Sequence, residues 1–257
     1  MIHVRRLAVV GLAVGAVSCM ASRGGGSGSR VNLDVAVPDS FVVAFETSRG
    51  RFDVMARTQW APIGVDRFYQ LVGVHYYDGA RFFRVVKDFV AQFGLPADPS
   101  RNKAWRVRRI ADDPVHHGNL RGTLSFARGG AGTRTTQLYI NLKDNTRLDT
   151  ANTFGFPAFA EVIAGMAVVD SLYSGYGDAR PRAPARPDTT RRDTTRRDTT
   201  RRDTTRRVTA QRDSASNPRL GPSQDSITLQ GTPYLLRGWP KLDYIKTARV
   251  VREWRSP

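Results

Sequence analysis

Four consecutive copies of Asp-Thr-Thr-Arg-Arg, starting at Asp188, Asp193, Asp198 and Asp203, set the terms on which this 257-residue chain can fold. A period of five matches neither the ~3.6-residue turn of a helix nor the two-residue alternation of a strand, and the repeats contain no apolar side chain to bury. Residues 179–222 are therefore expected to form a disordered insertion. A core can come only from what flanks it. Upstream lie residues 39–178; downstream lie residues 223–257, where ITLQG, YLLRGWPKLDYI and ARVVREW regain helix-like and strand-like apolar content. Loop-closure entropy grows only with the logarithm of length, so a long insertion does not prevent the downstream segment from rejoining the same core. One core of about 140 residues is the economical reading.

The same array accounts for much of the charge. The formal net charge is +17, and between Ala179 and Arg219 stand 13 arginines against 5 aspartates, close to half of the excess. The array has no aromatic side chain on which bases could stack, and its aspartates interrupt the positive run. It reads as a solvated spacer, and no specific nucleic-acid partner is expected.

At the amino terminus, Arg5 and Arg6 precede an uncharged apolar run from Leu7 to Val17, too short to span a bilayer and shaped like a secretory signal. The tetrapeptide Ala16-Val17-Ser18-Cys19 resembles a bacterial lipoprotein box, with Cys19 as the lipidated first residue of the mature chain and alanine where leucine is usual. The alternative is ordinary cleavage after Ala21. The glycine- and serine-rich stretch that follows, within residues 20–38, suits a flexible tether for an anchored domain. These features predict an exported protein of the cell envelope, held to a membrane through Cys19. Cys19 is also the single cysteine, so no internal disulfide can form.

Between Phe41 and Tyr176 the pattern is mainly β. FVVAF and RFDVMA, separated by SRG, predict an opening hairpin. Pro62 precedes GVDRFYQLVG, where Val65, Phe68, Leu71 and Val72 recur at helical spacing. RFFRVVKDFVAQFG, LRGTLSFARG and TTQLYINL follow as strands, and AFAEVIAGMAVVDSLYSGYG carries a second helical pattern. Strands at short intervals with two helices predict an antiparallel barrel or sandwich capped by helices.

The common catalytic signatures are missing: GGAGT lacks the lysine of a phosphate-cradling loop, and GxSxG and CxxC do not occur. His116 and His117 are adjacent, which fits no metal-ligand spacing; no metal and no cofactor is expected. What stands out is polar side chains set in apolar strands. Arg84 lies among Phe82, Phe83, Val85 and Val86, Gln92 lies in FVAQFG, and Gln137 lies in TTQLYIN. A guanidinium keeps its proton in a protein, so Arg84 needs partners or a task.

Taken together and in order, YYDGARFFRVVKDFVAQFG, RGTLSFARGGAGTRTTQLYIN and FAEVIAGMAVVDSL resemble the cyclophilin family of peptidyl-prolyl cis-trans isomerases, in its divergent bacterial branch. The resemblance covers about Phe41 to Gly177 and resumes near Ser223. It implies an eight-stranded antiparallel barrel closed by two helices, and a monomer acting on unfolded or extended proline-containing polypeptides. It also implies roles. Arg84 matches the catalytic arginine and Gln92 the polar residue beside it. Phe89, Tyr139 and Leu148 match apolar walls of the proline pocket. Ala127 and Arg128 match a backbone segment that pairs with substrate, and Gln137 matches a substrate-contacting amide. Val90 stands where many members have methionine, Phe156 where many have histidine, and Arg147 where many have tryptophan. The altered pocket positions leave a second reading, a cyclophilin-like module that binds peptides with little turnover.

Overall fold

The computed structural model describes residues 36–178 and 221–256. Cys19, the tether up to residue 35 and the Asp-Thr-Thr-Arg-Arg array lie outside the described residues.

The opening hairpin pairs β1 (Ser40–Thr47) with β2 (Gly50–Arg57), from Ser40 opposite Arg57 to Thr47 opposite Gly50. Strand alternation turns Phe41, Val43 and Phe45 inward together with Phe52 and Val54. Helix α1 (Pro62–Gly73) begins with proline at its first turn, where the missing N–H costs nothing. Asp113 supplies the cap, accepting from the Ile63 and Gly64 amides at 2.9 Å each. The buried face of α1 carries Val65, Phe68, Leu71 and Val72, the residues that its spacing selects. Phe68 meets Phe159 at 5.2 Å and Phe41 at 5.9 Å between ring centroids, so the helix seats on the sheet through aromatic contacts.

The remaining strands are β3 (Arg84–Val86), β4 (Val90–Phe93), β5 (Thr123–Phe126), β6 (Leu138–Asn141), β7 (Ala158–Ala164) and β8 (Ile245–Trp254). They form one sheet of eight strands in the order β3-β4-β6-β5-β7-β2-β1-β8, antiparallel throughout. The two ends of the sheet are brought together just before β3 and β8. There the Phe82 amide donates to the Asp243 carbonyl at 3.0 Å and the Ile245 amide to the Ala80 carbonyl at 2.9 Å. Curling in this way removes the exposed edges that an open sheet would present.

Three further helices complete the fold: α2 (Pro99–Trp105), α3 (Met166–Asp170) and α4 (Gln224–Gly238), with 3-10 turns at Thr146–Leu148 and Ala151–Thr153. The helical reading of AFAEVIAGMAVVDSLYSGYG is corrected here. Ala158–Ala164 is strand β7, hydrogen-bonded on one side to β2 and on the other to β5, and only Met166–Asp170 is helical. Pairing on both edges overrides the helix preference of an alanine-rich run. Gly165 marks the switch at φ +77, where an added Cβ would stand 2.5 Å from the Arg51 carbonyl oxygen.

Helix α4 is broken at Gly231 (φ 62), with Pro233 just beyond. It packs Ile227, Tyr234 and Leu235 with Trp239, Leu242, Phe83, Leu95 and Tyr176 into a second apolar cluster. Both faces around β3 are therefore occupied: Phe82 and Val85 belong to the main core and Phe83 to this cluster. Among the described residues, no helix is long and apolar enough to cross a membrane.

Candidate active site

Strand register places the polar residues side by side. Arg84 is opposite Gln92 in the β3–β4 pair, and Gln92 is opposite Tyr139 in the β4–β6 pair. Three side chains from three adjacent strands thus form a row across one face of the sheet. Two hydrogen bonds start within the row, the second leaving it for Gln137: Arg84 Nη1 donates to Gln92 Oε1 at 3.2 Å, and Gln92 Nε2 donates to Gln137 Oε1 at 2.9 Å. Asp178 completes the shell of the arginine, accepting from Nε at 2.5 Å and from Nη2 at 3.2 Å. The guanidinium also lies 5.5 Å from the centroid of the Phe89 ring. Held from three directions, it has a fixed aim that a lysine ammonium would not have.

A cleft of about 440 Å³ opens over this row. Arg84 and Gln92 form one wall with Phe89 and Val90. Ala127, Arg128 and Gln137 form the far end, and Tyr139, Leu148 and Phe156 close the apolar side. Of the eleven pocket positions named from the sequence, ten line this one cleft; Arg147 is not in its lining.

The apolar side is built by a polar network beneath it. Asn119, fully buried, accepts at Oδ1 from the Tyr139 hydroxyl and from Ser125 Oγ, both at 2.9 Å, and donates through Nδ2 to the Phe156 carbonyl at 2.8 Å. The Phe156 amide donates to the Leu148 carbonyl at 2.9 Å, which binds the two apolar walls to each other. On the opposite side the Phe89 carbonyl accepts from the Leu142 amide and from Asn145 Nδ2, both at 2.9 Å. Burial raises the Tyr139 phenol above its ordinary value, so it stays neutral well into the alkaline range.

Arg128 lines the cleft without filling it with charge. Its side chain is 1% exposed and pairs with Asp112 at 2.6 Å, while its guanidinium lies 5.0 Å from the Phe156 ring. The neighbouring backbone is already engaged, since the Ala127 amide donates to the Gln137 carbonyl at 2.9 Å.

Several contributors carry no signal in the sequence. Asp178 reaches Arg84 across 94 residues and Gln224 lines the cleft from α4; no periodicity connects either to the strands it meets. Asn119 lies between two histidines and a strand, with nothing to mark it as the support of the pocket. Thr133 and Gly129 at the far end come from the GGAGT loop and its approach. His116 and His117 are not part of the site. His117 stacks on Trp60 with ring centroids 3.6 Å apart, and among the described residues no group of three potential ligands is arranged to hold a metal.

The described lining of the cleft thus sets a held guanidinium beside apolar side chains, within a curled antiparallel sheet. Comparison with known proteins gives the family. The family model "Cyclophilin type peptidyl-prolyl cis-trans isomerase/CLD" matches residues 42–191. Peptidyl-prolyl cis-trans isomerase A of Dickeya dadantii is 35% identical over 141 residues, covering 53% of this chain and 73% of that protein. The isomerase ppi1 of Schizosaccharomyces pombe is 34% identical over 129 residues, covering 49% and 81%. Among solved structures, the cyclophilin AquaCyp293 from Hirschia baltica superimposes with a TM-score of 0.45 at 18% identity, covering 57% of this chain and 72% of that one. The chain belongs to the cyclophilin-type peptidyl-prolyl cis-trans isomerase family, and its enzyme class is that of the family.

Proposed function

We propose that the chain accelerates rotation about X-Pro bonds in unfolded or extended polypeptides of the cell envelope, with Arg84 as the catalytic group. Amide resonance sets a barrier of about 18–20 kcal/mol, which leaves X-Pro isomerisation to take tens to hundreds of seconds unaided. Twisting the bond breaks that resonance, and the prolyl nitrogen becomes pyramidal with a free lone pair. A guanidinium N–H aimed at this lone pair stabilises the twisted form and gains little from the planar one. That is differential binding of the transition state.

The observation that carries the reading is the fixed arginine at the edge of an apolar pocket. Phe89, Tyr139, Leu148 and Phe156 hold the pyrrolidine ring, with Val90 beneath. Ala127 and the Arg128 backbone take the extended chain beside the proline, Gln137 contacts its amide groups, and Gln92 steers Arg84. The Nη nitrogens retain N–H groups not used by Gln92 or Asp178, so the arginine can both be held and donate.

The envelope assignment rests on the amino-terminal sequence: an apolar signal, a lipoprotein-like box ending in Cys19, and a tether. The folded domain would work as a monomer on a membrane anchor. The test is a coupled proline-peptide assay on the full-length chain and on Arg84→Ala. Losing one preorganised donor to the transition state typically costs ~100- to 1000-fold. Equal rates for the two proteins would overturn the role of Arg84. The mass of the mature amino terminus reads lipidation separately.

A further inference from the structure

Two guanidinium groups line the cleft, Arg84 and Arg128, and a third, Arg147, reaches its rim by stacking on the lining residue Phe89; the three are not equivalent. Arg84 is paired with Asp178 at 2.5 Å and Arg128 with Asp112 at 2.6 Å. Arg147 has no carboxylate partner among the described residues. It is exposed, and its contact is with the face of Phe89, 4.8 Å from the ring centroid. The nearest acids along the chain are engaged elsewhere: Asp144 accepts from the Arg121 amide at 2.8 Å and Asp149 from Asn119 at 2.7 Å. Asp88 lines a different cavity, together with Lys87. Two cations thus approach the Phe89 ring, of which Arg84 is paired with a carboxylate and Arg147, among the described residues, is not.

Position adds direction. Ala127 and Gln137 sit at one end of the β5–β6 ladder, beyond the Phe126–Leu138 pair. Phe89 precedes Val90, whose partner Asn141 is at the other end. A polypeptide crossing the cleft from the Ala127 end therefore passes Gln92 and Tyr139 and leaves over Phe89, where Arg147 stands. The aromatic face restricts the planar guanidinium and leaves its edge open for a two-pronged contact with a carboxylate.

We propose that Arg147 is a specificity-determining residue that favours substrates with aspartate or glutamate next to the proline, on the side remote from the Ala127 segment. This rests on the reading of the cleft as the isomerising site. The effect is modest because the pair is solvent-exposed: about two- to fivefold in kcat/KM, shrinking as ionic strength rises.

The experiment measures kcat/KM of the full-length chain on matched peptides carrying glutamate, alanine or lysine immediately before the proline in one series and immediately after it in another. In one series glutamate is turned over faster than alanine and lysine more slowly. The order flattens in Arg147→Ala and in high salt, reverses in Arg147→Glu and survives in Arg147→Lys. Equal rates across both series, or a glutamate preference that persists in Arg147→Ala, overturns the proposal while leaving the isomerase site standing. Activity on none of the peptides overturns the reading of the cleft, and the preference falls with it.

Discussion

Arg84 illustrates how a strand accommodates a side chain that should destabilise it. Its side chain is 20% exposed, and its hydrogen bonds to Gln92 and Asp178 repay the desolvation that burial imposes on a permanent cation. The two partners do different work. Gln92 sits in the sheet and fixes the guanidinium plane; Asp178, at 60% side-chain exposure, clamps it from the solvent side. An exposed pair contributes no more than about 1 kcal/mol, so Asp178→Ala is expected to lower kcat about fivefold with KM little changed. Arg84→Lys keeps the charge but loses the fork, and its kcat falls much further than that of Asp178→Ala. Steady-state kinetics on the three proteins separates orientation from charge. Chemistry of this kind also predicts the pH profile. The described lining of the cleft has no histidine, cysteine or carboxylate, and burial raises its one phenol, Tyr139, above the ordinary tyrosine value of 10.0. The neutral phenol therefore persists as pH rises through the range where a free tyrosine ionises, and kcat/KM should be flat from about pH 6 to 9. A bell-shaped curve would reveal an acid or a base where the mechanism has none.

Strand β4 carries the close approach on which the polar row depends. Gly94 follows Phe93 at φ +105, and an added Cβ would lie 2.4 Å from the Thr136 carbonyl oxygen and 2.7 Å from the Gln137 Cα. Only glycine lets β4 leave the sheet here without pushing β6, and with it Gln137, away from Gln92. Gly94→Ala is therefore expected to cost about 1–3 kcal/mol in stability, read by denaturant unfolding, and to lower kcat/KM as the Gln92–Gln137 contact opens. Unchanged stability would mean that β6 yields freely. The motif FVAQFG made Gln92 legible because a glutamine among apolar strand residues is chemically anomalous, and Arg84 was legible for the same reason. Strand alternation and the α1 spacing were equally open, since each depends on neighbours in sequence. What could not be read was set by distant pairing. Ala158–Ala164 has the composition of a helix and becomes a strand because β2 and β5 offer it two ladders. Asn119 supports Tyr139 and Phe156 through contacts that no local pattern announces.

The barrel is completed from both sides of the insertion. Strand β8 pairs with β1 along its length, and Ile227, Tyr234, Leu235, Trp239, Leu242, Ile245 and Ala248 are all buried. At ~1.5–3 kcal/mol for each large apolar side chain, these contacts exceed or match the net stability of an ordinary domain, about 5–15 kcal/mol. A chain ending at Asp178 should therefore fail to fold. Deleting residues 179–220 is another matter. The two ends of that stretch already meet, since the Gly221 amide donates to the Asp178 carbonyl at 3.0 Å, so a linker of about four residues can join them. Shortening the connection to that length lowers the closure cost by roughly 2 kcal/mol on the logarithmic law. The shortened protein is expected to melt no lower than the full chain, and to keep its proline-peptide activity because Asp178 and Gln224 remain beside Arg84. Thermal unfolding and the coupled assay on the same preparation decide it. A clear drop in melting temperature would show that residues 179–220 contribute contacts to the fold. Lost activity at unchanged stability would show instead that they bear on the cleft, through the neighbouring Asp178 that holds Arg84.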